Sequence, residues 1–208
     1  MKFLIHVYLW WRAAVISNDV GSRNASELRR LGAARQQGSE RPAAKTRHSV
    51  NVVIMTTTFS DSIIIARPPE VLYAMVSDIT RMGEWSPTCT KAWWESGEPG
   101  QLGSVFVGHN EADGDTWETK AEVTVADQNT EFVFVVGGSL SQWGYHFAPV
   151  EGGTRVTQSW EFLPEGLELF RSHYGDDGEN QIAKRIEAAH SDIPATLAAL
   201  KRVAEAEA

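Results

Sequence analysis

Hydrophobic residues recur with two distinct periods in the last three quarters of the chain. Asp61 to Ala66 (DSIIIA) is a short β-branched run that predicts a strand. Pro68 and Pro69 stop it, and Glu70 supplies a first-turn acid for a helix whose Leu72, Val76 and Ile79 share one face. Arg81 to Trp85 predicts one further short helical turn, ended by Pro87. Six strand-like runs follow, Thr90–Glu95, Ser104–Asn110, Thr116–Ala126, Glu131–Val136, Gln142–Ala148 and Arg155–Leu163, with Gly-, Asp- and Asn-bearing turns between them. Short consecutive strands joined by hairpin-length turns imply an antiparallel meander. The longest element is last: Ile182, Ile186, Ala189, Ile193, Leu197 and Leu200 step by three and four along one helical stripe. Pro194 removes the bond that the His190 carbonyl would accept, so a kink is expected there.

This order predicts an α+β fold: a seven-stranded curved antiparallel sheet wrapped around the long C-terminal helix, with two short helices after the first strand. Strand twist curls such a sheet, and its concave face must be covered. The final helix is the only large amphipathic element left to cover it, and a gap between helix and sheet is a natural place for a small apolar ligand. Alternation assigns the concave face. In Trp117 to Val125 the odd residues point in; Trp143, Tyr145 and Phe147 do so in the next but one strand, and Val156, Gln158, Trp160 and Phe162 in the last. Trp93 and Trp94 alternate, and Trp93 is expected inside.

The same elements carry motifs that resemble a known family. Arg67-Pro68-Pro69-Glu70-Val71 opens the first helix, Ser77-Asp78-Ile79-Thr80-Arg81-Met82-Gly83-Glu84-Trp85-Ser86-Pro87 follows it, and later come the Gly103 to Asn110 strand, Trp143-x-Tyr-x-Phe147 and Gly-Gly-Thr-Arg-Val-Thr at 152 to 157. Residues 59 to 205 are in these respects similar to the SRPBCC superfamily, the START-like helix-grip proteins, and within it to the polyketide cyclase/dehydrase group. The resemblance implies a hydrophobic-ligand cavity, with Phe106 and Asn110 facing in and His109 out. It does not imply an enzyme, because the superfamily mixes lipid carriers, hormone receptors, cyclases and ring-hydroxylase subunits.

Charge divides the chain. Residues 1 to 54 hold nine basic and three acidic side chains, so of the 19 Lys+Arg and 27 Asp+Glu in the protein, 10 and 24 lie beyond Ile54. Two segments of opposite sign and different texture are not expected to share one core. Residues 1–55 therefore read as a disordered or mis-started extension, with Met55 a natural beginning, and 56–208 as the ligand-binding domain. The net charge of −8 repels phosphate backbones and anionic lipid, which argues against nucleic acid as a partner and mildly against fatty-acid anions or acyl-coenzyme A. The apolar opening Phe3–Trp11 is too short for a membrane helix, so no membrane insertion is expected. A single cysteine, Cys89, excludes an intrachain disulfide and fits a reducing, cytoplasmic setting.

The legible inward polar residues are Asn110, Thr119, Tyr145 and Gln158, with no Asp, Glu, Lys or His among them. Cyclisation or dehydration needs a base beside a carbonyl and a donor for the oxyanion. Tyr145 and Asn110 can donate, but the strands hold no base. His190 lies about 60° from the centre of the helix stripe at roughly 100° per residue and reads either as a base leaning into the gap or as a solvent-edge histidine beside Pro194. The expected ligand-binding set is Trp85, Trp93, Phe106, Asn110, Trp117, Thr119, Phe134, Trp143, Tyr145, Gln158, Trp160, Ile186 and His190. Leu167 to Tyr174 is expected as a gating loop between two glycines, and Arg185 as a surface cation. His173, Tyr174, Asp176 and Asp177 are too weak a cluster to imply a metal, and no nucleotide, serine-hydrolase or zincin motif is present, so no cofactor is expected. Three functions follow: binding of a lipid or polyketide-like aromatic, a cyclase or dehydratase using His190 and Tyr145, or an interaction module, such as a homodimer through an open sheet edge, with a vestigial cavity.

Overall fold

The computed structural model describes residues 56–207; the expected N-terminal extension lies outside them. Strand β1 (Thr58–Ile65) leads to α1 (Pro69–Ser77) and a 3-10 helix (Ile79–Glu84). The meander is β2 (Cys89–Ser96), β3 (Val105–Ala112), β4 (Asp115–Asp127), β5 (Glu131–Val136), β6 (Ser141–Val150) and β7 (Gly153–Phe162). Helix α2 (Pro164–Tyr174) and a 3-10 turn at Gly175–Asp177 then lead into α3 (Gly178–Ala206). The strands form one antiparallel sheet in the order β1-β7-β6-β5-β4-β3-β2, so the first strand closes the meander by pairing with the last. The helix-grip architecture is thus the one expected. Pro194 lies inside a single continuous 29-residue helix.

Local chemistry explains the boundaries. Pro69 opens α1 at a position whose N–H needs no partner. Asp78 begins the 3-10 helix by accepting from the Thr80 backbone N–H and hydroxyl. Leu167 to Tyr174 is helical, not a loop, because Pro164 and Glu165 start a helix directly behind β7. Its Phe170 stands edge-on to Phe162 at 4.8 Å, which holds α2 on the end of the sheet.

Helix α3 runs along β1. His190 stacks on Phe59 with ring centroids 3.9 Å apart, Lys201 donates to the Ile64 carbonyl at 2.6 Å, and Glu205 accepts from the Ala66 N–H at 2.9 Å. Fifteen helical residues and seven strand residues both span roughly 23 Å, so the two elements stay in step from end to end. Ile193, Leu197 and Leu200 on the buried stripe have 1 % exposure or less. Replacing Leu200 by Ala should therefore cost about 2–5 kcal/mol in urea denaturation, whereas Ala at Leu102, which is 69 % exposed, should change stability by less than about 0.5 kcal/mol.

Candidate ligand-binding site

The concave face is organised in rows set by strand register. One row reads Val123, Phe134, Trp143, Trp160 and Phe59 across β4, β5, β6, β7 and β1. The next reads Ala126, Phe132, Tyr145, Gln158 and Asp61. At the other edge, Cys89, Asn110 and Trp117 face one another across β2, β3 and β4, beside Gly108 and Thr119. Phe106, Asn110, Phe134, Tyr145, Gln158 and Trp160 are all buried, as parity requires of Tyr145, Gln158 and Trp160 and as the resemblance implies for Phe106 and Asn110.

Two bulges alter parity where alternation alone fails. A register shift between Cys89 and Lys91 puts Cys89, Ala92 and Trp94 on the concave side. Trp94 then meets Phe106 edge-on at 5.7 Å, while Trp93, expected inside, lies on the outer face at 36 % exposure beneath the Lys91 ammonium. A second shift between Val123 and Val125 turns Val125 outward opposite Val133 and brings Ala126 in. Trp117 keeps its inward parity but is only half-buried, near the open end of β4.

The curl of the sheet lets β6 reach β2. The Tyr145 hydroxyl accepts from Gln158 Nε2 at 2.9 Å and from the indole of Trp85, the residue that ends the 3-10 helix. Burial holds the Tyr145 hydroxyl well above the usual phenol range, with nearby Cys89 adding to the effect and the Trp85 bond opposing it. Burial likewise pushes the Cys89 thiol up to about 11. Neither group ionises at neutral pH. Asn110 Nδ2 donates to Thr119 Oγ1 at 3.1 Å and to the Gly108 carbonyl at 3.1 Å, so its donors serve the sheet itself. The amide oxygen of Gln158 is buried and has no hydrogen-bond partner.

His190 is exposed, and its ring is occupied by the stack on Phe59; it does not lean into the concave face. The reason is that α3 is drawn toward β1, which places the 190 flank at the sheet edge. Ile186, one turn earlier, does pack against the core. Arg185 is half-buried over the Phe170 ring at 5.9 Å rather than a free surface cation, and burial lowers its pKa while Tyr174 opposes this. The neighbouring Tyr174 hydroxyl is pushed up to about 12, chiefly by burial. Asp61 is an inner-face residue that the meander parity could not reveal: it pairs with Gln158 on edge strand β1 but is exposed, its Oδ1 accepting from the Ser62 N–H. Among the described residues, no three His, Cys, Asp or Glu side chains converge to hold a metal ion, and no helix is long and apolar enough to cross a membrane. A hollow of about 330 Å³ lies along β1, β7 and β6, lined by Thr58, Ser60, Gln142, Ser159 and Glu161, which alternate away from the core, together with Phe59 and Trp160.

Helix α3 approaches β1 most closely and β7 next. Trp94 and Trp143 stay half-buried on the concave face although they touch the core. This fold is shared with known proteins. Residues 56–205 match the family described as polyketide cyclase / dehydrase and lipid transport. The chain belongs to that family. The Polyketide_cyc-like protein Cgl2372 from Corynebacterium glutamicum is 45 % identical, with a TM-score of 0.57 over 74 % of this chain and 94 % of that one. Protein NE0264 from Nitrosomonas europaea shares the fold at 10 % identity, with a TM-score of 0.55 over 73 % and 96 % of the two chains. The di-domain ARO/CYC StfQ of the steffimycin biosynthetic pathway shares it at 15 % identity and a TM-score of 0.54, over 73 % of this chain and 51 % of that one. No curated protein matches the chain.

Because the folded thiol holds its proton to about 11 against an ordinary value of 9.0, the unfolded chain releases that proton first as pH rises. Cys89 thus leaves stability unchanged below about pH 9 and lowers it between 9 and 11. Urea denaturation at pH 8 and pH 10 should show a smaller alkaline loss for Cys89→Ala than for the natural protein, and iodoacetamide should label folded Cys89 only slowly at pH 8.

Proposed function

We propose that this protein binds a small, neutral hydrophobic molecule, a lipid or polyketide-like aromatic, between the concave face of the sheet and α3. The observation that carries the reading is the set of half-buried tryptophans on the concave face, Trp94, Trp117 and Trp143, each with indole surface still open. Indole surface of this kind is stabilised by whatever completes its burial. Each 100 Å² of ligand carbon removed from water contributes roughly 2.5 kcal/mol before polar contacts orient the molecule. Tyr145 and Cys89 stay uncharged at neutral pH, and the excess of acidic residues beyond Ile54 disfavours anionic ligands. The description of the family, which joins cyclase, dehydrase and lipid transport, supports a hydrophobic ligand in general terms.

The cyclase or dehydratase reading has less support. Tyr145 is protonated and could stabilise an oxyanion, but His190, the residue that would remove the proton, is exposed and stacked on Phe59. Native mass spectrometry of the purified chain should reveal a co-purified small molecule released on denaturation. With that molecule, Trp143→Ala should weaken binding about 10- to 100-fold, the equivalent of the contact area lost, while His190→Ala should leave the affinity within about twofold. A ligand-free protein whose tryptophan emission is indifferent to apolar probes, or a variant pair with the opposite ranking, would sink the reading.

A further inference from the structure

We propose that the Gln158 side-chain oxygen is the polar anchor of the site and accepts a hydrogen bond from a hydroxyl group of the ligand; this rests on the binding reading above. Gln158 is 96 % buried, at 4 % exposure, in the middle of β7 between the inward residues Val156 and Trp160. Its Nε2 is committed to Tyr145, and its Oε1 has no partner. A buried carbonyl oxygen left without a donor is a standing cost to the fold, because its lost hydration is not replaced. An apolar residue of the same size would remove that cost, so a glutamine here makes sense when something else completes its bonding.

The surroundings say what that partner is. The hydroxyl of Tyr145 already accepts from Gln158 and Trp85. Trp143, Trp160 and Phe134 surround the same part of the concave face and offer carbon. An oxygen acceptor set in an aromatic wall selects a donor, and a carboxylate ligand would set oxygen against oxygen. The ligand class is accordingly a neutral hydrophobic molecule bearing an alcohol or phenol.

The test uses three probes of one scaffold, 2-naphthol, 2-methylnaphthalene and 2-acetylnaphthalene, titrated into the full-length chain and into Gln158→Leu and Gln158→Met while tryptophan fluorescence is followed. Circular dichroism melts establish that each variant is folded, and two apolar replacements guard against one that is not. The natural protein should bind the naphthol about tenfold tighter than the methyl compound, the worth of one hydrogen bond to a buried acceptor, and either folded variant should reduce that ratio to about one. A merely structural glutamine would move the melting temperature and leave the ratio alone. Equal binding of naphthol and methylnaphthalene by the natural protein, a preference for the ketone, or a ratio that survives substitution would overturn the anchor while leaving the binding reading intact. If none of the probes binds the natural protein, the binding reading falls and the anchor with it.

Discussion

A single helix cannot roof a seven-stranded sheet, and that disproportion governs this molecule. A helix with its side chains is about 10 Å across, enough for two strands spaced about 4.8 Å apart. Helix α3 takes β1 and part of β7, held there by the Lys201 and Glu205 bonds to the β1 backbone and by the stack of His190 on Phe59. The rest of the concave face has to be covered by other means. Helix α1 brings Tyr73 edge-on against Phe132 and Phe147, and the 3-10 helix delivers Ile79 and Trp85 to the opposite side. What is left is lined by half-buried indoles.

The same disproportion accounts for the polar groups inside. A sheet curled tightly enough to close on one helix brings β6 and β2 within reach of a tyrosine, so Tyr145 spans the concave face from Gln158 toward Trp85 and Cys89. Desolvation then keeps both the phenol and the thiol protonated. An interior of this kind suits the neutral ligand proposed above, because neither of these two groups is ionised at neutral pH. The carboxylate of Asp61 belongs to the same row but stands at the solvent-exposed edge.

Much of the site was legible from alternation because β6 and β7 run without irregularity through their inward residues. Tyr145, Gln158 and Trp160 follow directly from period two, whereas both faces of β3 are mixed and only the family resemblance pointed Phe106 and Asn110 inward. The failures fall at bulges. In β2 one extra residue after Cys89 exchanges Trp93 for Trp94, and in β4 another after Val123 turns Val125 outward. A bulge leaves no reliable mark in a run such as Cys-Thr-Lys-Ala-Trp-Trp, where both faces carry bulky residues. The α2 segment was misread for a related reason: two glycines suggested a loop, yet Gly166 is buried inside the helix, where a Cβ would collide with the Leu140 carbonyl, so its smallness serves packing and not flexibility.

The sequence by itself determined every strand, the helices other than α2, their order and most of the aromatic wall, since hydrophobic period and turn chemistry are local properties of the chain. Tertiary structure decided where the terminal helix lies on the sheet. That choice follows from side-chain-to-backbone bonds between residues 137 and 139 positions apart and from an edge strand whose pairing closes the meander, and no window of sequence contains both partners. It sent His190 to the rim, left the tryptophans partly bare and put the unpartnered Gln158 oxygen among them.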